Sequence, residues 1–191
     1  GNTLFVHLTL LPYLQATKEL KTKPTQASVR ELRSIGIQPD LIIARADYPI
    51  AKEHLKKIAL FCDVQEEAVI PAVTANSIYE VPLLMEEYKV AEFIVNRLNL
   101  KAEAKPDLKA WRTLHKKIQN SSKEVKIALV GKYTGLDDAY LSVIESLKIA
   151  CYHNEHKLKL VWINSEKLAE KDEQTWDELK SAHGIVVPGG F

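Results

Sequence analysis

Short apolar runs alternate with amphipathic stretches along most of this chain. Residues 4–10 (LFVHLTL) are dense in apolar side chains and predict a buried strand. After a polar loop, Val29, Leu32 and Ile35 recur at helical spacing, with Thr25 as a candidate N-cap and Gly36 placed to end the helix. Residues 41–44 (LIIA) form an all-apolar run suited to a central parallel strand, with Arg45 just past it. Leu55, Ile58, Ala59 and Cys62 mark one face of a helix over 51–62. A short strand over 68–73, a mixed stretch over 77–84 and a helix over 89–98 follow.

Residues 100–124 change character. They are polar, carry Pro106 and end in Asn-Ser-Ser, while Trp111, Leu114 and Ile118 predict one surface helix within a linker. The strand–helix alternation then restarts. Residues 125–130 (VKIALV) predict a strand, and Tyr140, Val143, Ile144, Leu147, Ala150 and Cys151 line one face of a helix. Residues 158–163 (LKLVWI) predict a strand, 166–181 an acidic helix, and 184–187 a last strand. The fold class is therefore α/β, with parallel-sheet units on both sides of the linker: 1–99, 100–124 and 125–191. The chain opens on a strand-like run and closes on a strand and glycine turn, which suggests a segment of a longer polypeptide.

Composition narrows the picture only a little. The 191 residues carry a net charge of +1, which gives no general argument for nucleic acid or membrane binding, so any anion site must be local. No apolar run approaches the ~20 residues that span a bilayer. Cys62 and Cys151 match no metal spacing and fall on apolar stripes, consistent with core thiols in a reducing cytoplasm. The six histidines form no ligand cluster, and His153-x-x-His156 reads as a helix terminus. No metal site is expected.

The local exception in charge is KTKPTQ, residues 21–26. From Lys18 to Arg33 there are five basic and two acidic residues. Lysines act as point charges toward phosphate oxygens, and a loop leading into a helix adds backbone N–H groups and the positive end of the dipole. A solvated basic turn with Thr25 as a plain cap fits the residues as well. The segment has no glycines and is no P-loop. Arg45 stands at a strand end, where ligands of open α/β sheets bind, and Lys57 lies off the apolar stripe of its helix. At the far end, PGGF offers paired glycines whose N–H groups suit an oxyanion. GKY at 131–133 is a similar strand-end loop.

HLTLLPYL, KTKPTQ, SIGIQPD, KIALFC, SIYEVP, GKYTGLDDAYLSVIESL and VVPGGF follow one another here as they do in the CTP synthase family. The chain resembles that family along nearly its whole length. The resemblance implies a P-loop synthetase-type amidoligase domain, of which 1–99 is the later part. It also implies a second Rossmann-like unit, the start of a class I glutamine amidotransferase domain, over 125–191. The family aminates UTP to CTP with ATP, Mg²⁺ and ammonia from glutamine. It is activated by GTP, inhibited by its product, cytoplasmic, and assembled as a homotetramer, with filaments as a further assembly.

Carried over by position, Lys21, Thr22, Lys23, Pro24, Thr25, Gln26 and Lys57 match the UTP/CTP site. Arg45, Val73, Thr74 and Ala75 match the ATP region, although the family often has Lys-Asp-Val where this chain has Val-Thr-Ala. Gly189, Gly190 and Phe191 match the glutamine-binding oxyanion loop, and Lys132 and Tyr133 a neighbouring loop. The family's P-loop, Mg²⁺ ligands and glutaminase Cys-His-Glu have no counterpart in these residues, so no catalytic residue is assigned and the chain alone is expected to be inactive. The competing expectation is a non-catalytic nucleotide-binding or assembly module of the same fold.

Overall fold

The computed structural model describes residues 2–102, 104–135 and 137–189. Two compact units divide after Leu108. In chain order the first contains strands β1 (Val6–Leu10), β2 (Tyr13–Leu14) and β3 (Glu19–Leu20), then helix α1 (Lys23–Ser34). Strand β4 (Leu41–Ala46), helix α2 (Lys52–Cys62), strand β5 (Val69–Val73) and helices α3 (Val81–Glu87) and α4 (Val90–Arg97) complete it. The sheet runs β1-β4-β5, all parallel, with Leu10 opposite Arg45 and Ala46 opposite Val73. Strands β2 and β3 form a separate antiparallel hairpin.

The central strand is apolar because both its faces are covered. Ile42, Ala44 and Ala46 pack with Val29 of α1 and Ile58, Ala59 and Cys62 of α2. Leu41 and Ile43 pack on the other face with Met85, Val90, Phe93 and Ile94. The predicted α2 stripe is thus the core face. Asp40 ties the two layers, accepting from the Phe5 amide at 2.9 Å and from Arg97 Nε at 2.9 Å.

Three expectations change. The first strand is not buried: Val6, Leu8 and Leu10 are exposed, Leu8 by 63%. It is an edge strand, and among the described residues only its other face, carrying His7 and Thr9, meets a helix. Helix α1 begins two residues before Thr25, because Pro24 suits a first helical turn and Thr22 takes the cap position. Thr25 is instead fully buried, its hydroxyl 2.9 Å from that of Thr9. Arg45 lies within β4 and not beyond it. Gly36 does end α1, with φ of +86° that a side chain would resist.

The second unit contains α5 (Lys109–Asn120), β6 (Lys123–Gly131), α6 (Leu141–His153) and β7 (His156–Asn164), then α7 (Ser165–Ala169), α8 (Glu173–Lys180) and β8 (Gly184–Val186). Its sheet is parallel, in the order β7-β6-β8. Helix α5, expected inside the linker, groups with this unit and packs on α6. The acidic helix expected over 166–181 is two helices. Lys171 takes a left-handed φ of 61°, and Asp172 then caps α8, its carboxylate accepting from the Thr175 amide at 2.9 Å. Those hydrogen bonds from the Thr175 hydroxyl and amide hold the Asp172 carboxyl below its ordinary value.

At the end of β6 the Tyr140 ring lies across Gly131, where an added Cβ would stand 2.5 Å from the phenolic oxygen. Gly131→Ala therefore forces Tyr140 out of its buried cluster. We expect a loss of about 1–3 kcal/mol in urea unfolding of this unit, while Gly135→Ala, which meets nothing within 4 Å, leaves the transition within error.

Candidate functional site

In a parallel sheet all strand carboxyl ends open onto one edge, and the chain leaves β1 there. The Leu11 amide still bonds the Arg45 carbonyl at 2.7 Å, so the polypeptide stays in register one residue past the strand. It then makes the β2–β3 hairpin, and the Lys21 amide returns to the Pro12 carbonyl at 2.9 Å. This closure delivers Lys21 and Thr22 to the first turn of α1. The hairpin is steadied by Tyr13, whose ring lies 4.1 Å from that of Tyr48 between centroids.

The result is a cavity of about 480 Å³ lined by the hairpin, the start of α1 and the first turns of α2. Lys21, Lys23, Lys57, Thr22, Pro24 and His54 all contribute to its wall. Residues separated by more than thirty positions in sequence thus meet around one hollow, including the lysine that periodicity alone left on a helix surface. Thr25 and Gln26 do not reach it. Thr25 is buried against Thr9, and the Gln26 amide bonds the Thr22 hydroxyl at 3.2 Å, fixing the turn from behind.

Glu19 is the one carboxylate in this wall, and it pairs with Lys21. The hydrogen bond from Lys21, with a second from Thr17, lowers the Glu19 carboxyl from its ordinary value. Sequence inspection missed both Glu19 and His54. For His54 the available signal was its spacing, one turn before Lys57 on a helix.

A second polar group forms at the ends of β4 and β5. Arg45 Nη2 donates to the Thr74 hydroxyl at 3.0 Å, and that hydroxyl donates to Asp47 Oδ1 at 2.7 Å. The Thr74 amide bonds the Ala46 carbonyl at 2.9 Å. Arg45 and Thr74 are therefore in direct contact at this edge, with Val73 paired to Ala46 beside them. A larger hollow of about 670 Å³ lies at the opposite edge, but its Arg97 is already paired with Asp40 at 2.7 Å.

In the second unit, Lys132 Nζ stands 3.6 Å from Glu166 at the ends of β6 and β7, and Tyr133 packs beside Leu129, Tyr140 and Ile144. Gly189 is exposed, while Gly190 and Phe191 lie outside the described residues. Burial raises the thiols of Cys62 and Cys151, which suits core residues and not nucleophiles. Among the described residues no group of three or more His, Cys, Asp or Glu side chains is placed to hold a metal ion, and no helix is long and apolar enough to cross a membrane.

Comparison with known proteins bears on the same region. The family model described as CTP synthase N-terminus matches residues 1–100, which include the whole lysine-lined cavity. The chain belongs to the CTP synthase family. It is 51% identical over 191 residues to the CTP synthase of Pelotomaculum thermopropionicum and 53% identical over 192 residues to that of Symbiobacterium thermophilum. It is 47% identical over 196 residues to the CTP synthase of Methanococcus aeolicus. All of this chain is covered in each case, but it spans only 35–36% of the length of these relatives.

The Glu19–Lys21 pair makes a sign that can be checked. Because the folded-state pKa of Glu19 is depressed, the pair contributes above the ordinary carboxylate pKa and is lost as pH falls through the lowered value. Carboxyl ¹³C titration should place Glu19 below the ordinary carboxylate value, and Lys21→Ala should raise it.

Proposed function

We propose that this chain is the nucleotide-gripping part of a glutamine-dependent CTP synthase, and that the cavity at the carboxyl edge of β1 and β4 holds the triphosphate of UTP or of the product CTP. The observation that carries this reading is the meeting of Lys21, Lys23 and Lys57 around one cavity. Three ammonium groups offset much of a triphosphate's charge, and the starts of α1 and α2 add the positive ends of their helix dipoles. Thr22, buried and bonded to Gln26, holds the turn rigid so that Lys21 and Lys23 flank the same ligand. Arg45 and Thr74 form the neighbouring ATP contact, with backbone groups of 73–75 reading the adenine, a role that tolerates Val-Thr-Ala where the family often has Lys-Asp-Val.

In this reading residues 1–99 are the later part of the amidoligase domain, 100–124 connect it onward, and 125–191 begin a class I glutaminase domain. Gly189, Gly190 and Phe191 belong to its oxyanion loop, and Lys132 and Tyr133 to a loop beside it. The parent enzyme phosphorylates the uracil 4-oxygen with ATP and aminates it with ammonia from glutamine, under GTP activation, in a cytoplasmic homotetramer. The described residues offer no cluster for the Mg²⁺ that accompanies ATP, so none of these side chains is assigned to it.

Lys57→Ala and Lys21→Ala, made in the parent enzyme, should each weaken CTP binding about 10–100-fold in calorimetric titration, the cost of one charge-assisted phosphate contact. ATP affinity should change little. Equal losses for UTP, CTP and ATP, or no loss at all, would overturn the assignment. The isolated chain should form no CTP from UTP, ATP and glutamine, and product in that assay would refute the view that its catalytic groups lie elsewhere.

A further inference from the structure

We infer that His54 is a fourth ligand-contacting group of the triphosphate cavity, donating from its imidazole to a phosphate oxygen beside Lys57; this rests on the nucleotide reading above. Three observations converge. His54 lies one turn before Lys57 on α2, so both project to the same side of the helix, and both line the cavity. Its Nδ1 is buried and has no hydrogen-bond partner among the described residues, so Nε2 is the ring nitrogen left to donate into the cavity. Its electrostatic surroundings are those of an anion site with one internal counter-charge.

The groups around His54 come from three elements. Glu19 stands on β3, close enough for His54 to help lower its carboxyl. Lys21 and Lys23 lie at the start of α1, and Lys57 on α2 itself. Glu53 and Lys56 adjoin His54 along α2. In the free protein Glu19 is engaged by Lys21. A triphosphate entering the cavity competes for Lys21 and adds several negative charges next to the imidazole. Histidine is the side chain whose charge changes across the physiological pH range, so such a contact strengthens as the imidazole takes up its proton. A lysine contact has no such dependence there. The cavity therefore grips the nucleotide with three ammonium groups and one imidazole.

The test is calorimetric titration of CTP into the parent enzyme at pH 6.0 and pH 8.0, for the wild type, His54→Gln and Lys57→Ala. His54→Gln should weaken CTP about 5–10-fold at pH 6.0 and by less than about twofold at pH 8.0, the size of one hydrogen bond that protonation makes charge-assisted. Protonation of the nucleotide's own terminal phosphate affects all three proteins alike and cancels in the ratios. His54→Lys, which keeps a cation at the position, should bind tightly at both values. Equal affinity of His54→Gln and wild type at both pH values, with Lys57→Ala still impaired, would overturn the role of His54 and leave the nucleotide site standing. Absence of CTP binding by the wild type would overturn both. Thermal melting of each variant at both pH values identifies a mere folding defect: a fall in melting temperature for His54→Gln matching its loss of affinity counts against a ligand contact.

Discussion

The parallel register between β1 and β4 is the constraint from which the site follows. Because the strands run the same way, their carboxyl ends share an edge, and whatever chain leaves β1 must turn there. The bond from the Leu11 amide to the Arg45 carbonyl carries that register one residue beyond the strand. The hairpin that follows is closed by the Lys21 amide on Pro12, and only then does α1 begin. Lys21 and Lys23 are thus placed by backbone bonds, not by their own side-chain contacts. Lys57 arrives from the next crossover by the same logic, since α2 follows β4 off the same edge. Local sequence supplies the cations, and the handed, parallel crossover supplies their convergence.

Burial sorts the six residues of KTKPTQ into two jobs. Lys21 and Lys23 line the cavity with Thr22 and Pro24, while Thr25 is fully buried and Gln26 turns back to Thr22. The segment is therefore a cavity wall on one side and a packed helix start on the other. The polar pairs Thr9–Thr25 and His7–Ser28 hold α1 against an edge strand whose opposite face is bare among the described residues. An edge strand covered on one face alternates in burial, and β1 does so from Val6 to Leu10.

Much of this was legible from periodicity. The LIIA run, the 55/58/59/62 stripe of α2 and the restart of strand–helix alternation after the polar stretch all mark elements that the structure contains. What escaped needed long-range information. Thr25 looked like a helix cap because its partner, Thr9, is sixteen residues away, and nothing local says that they meet. The first strand looked buried because apolar content does not say which neighbours a sheet will lack. The acidic helix over 166–181 looked continuous because its polar residues hide a break that a single left-handed residue, Lys171, creates. His54 escaped for another reason. Histidines invite a search for metal spacing, and this one acquires meaning beside Lys57 on its own helix and the lysines that other elements bring to the same cavity.

The β2–β3 hairpin has a kinetic consequence. Each of its strands contributes two residues, its ends are held by one backbone bond, and its outer anchor is the tilted contact of Tyr13 with Tyr48. The opposite wall of the cavity, α1 and α2, is sewn into the main core through Val29, Ile58 and Ala59. The two walls therefore differ in local stability. The thin one opens at the cost of a few contacts, and the thick one opens only when the sheet itself gives way. Opening of this cavity through the thin wall is thus set separately from the stability of the fold behind the thick one.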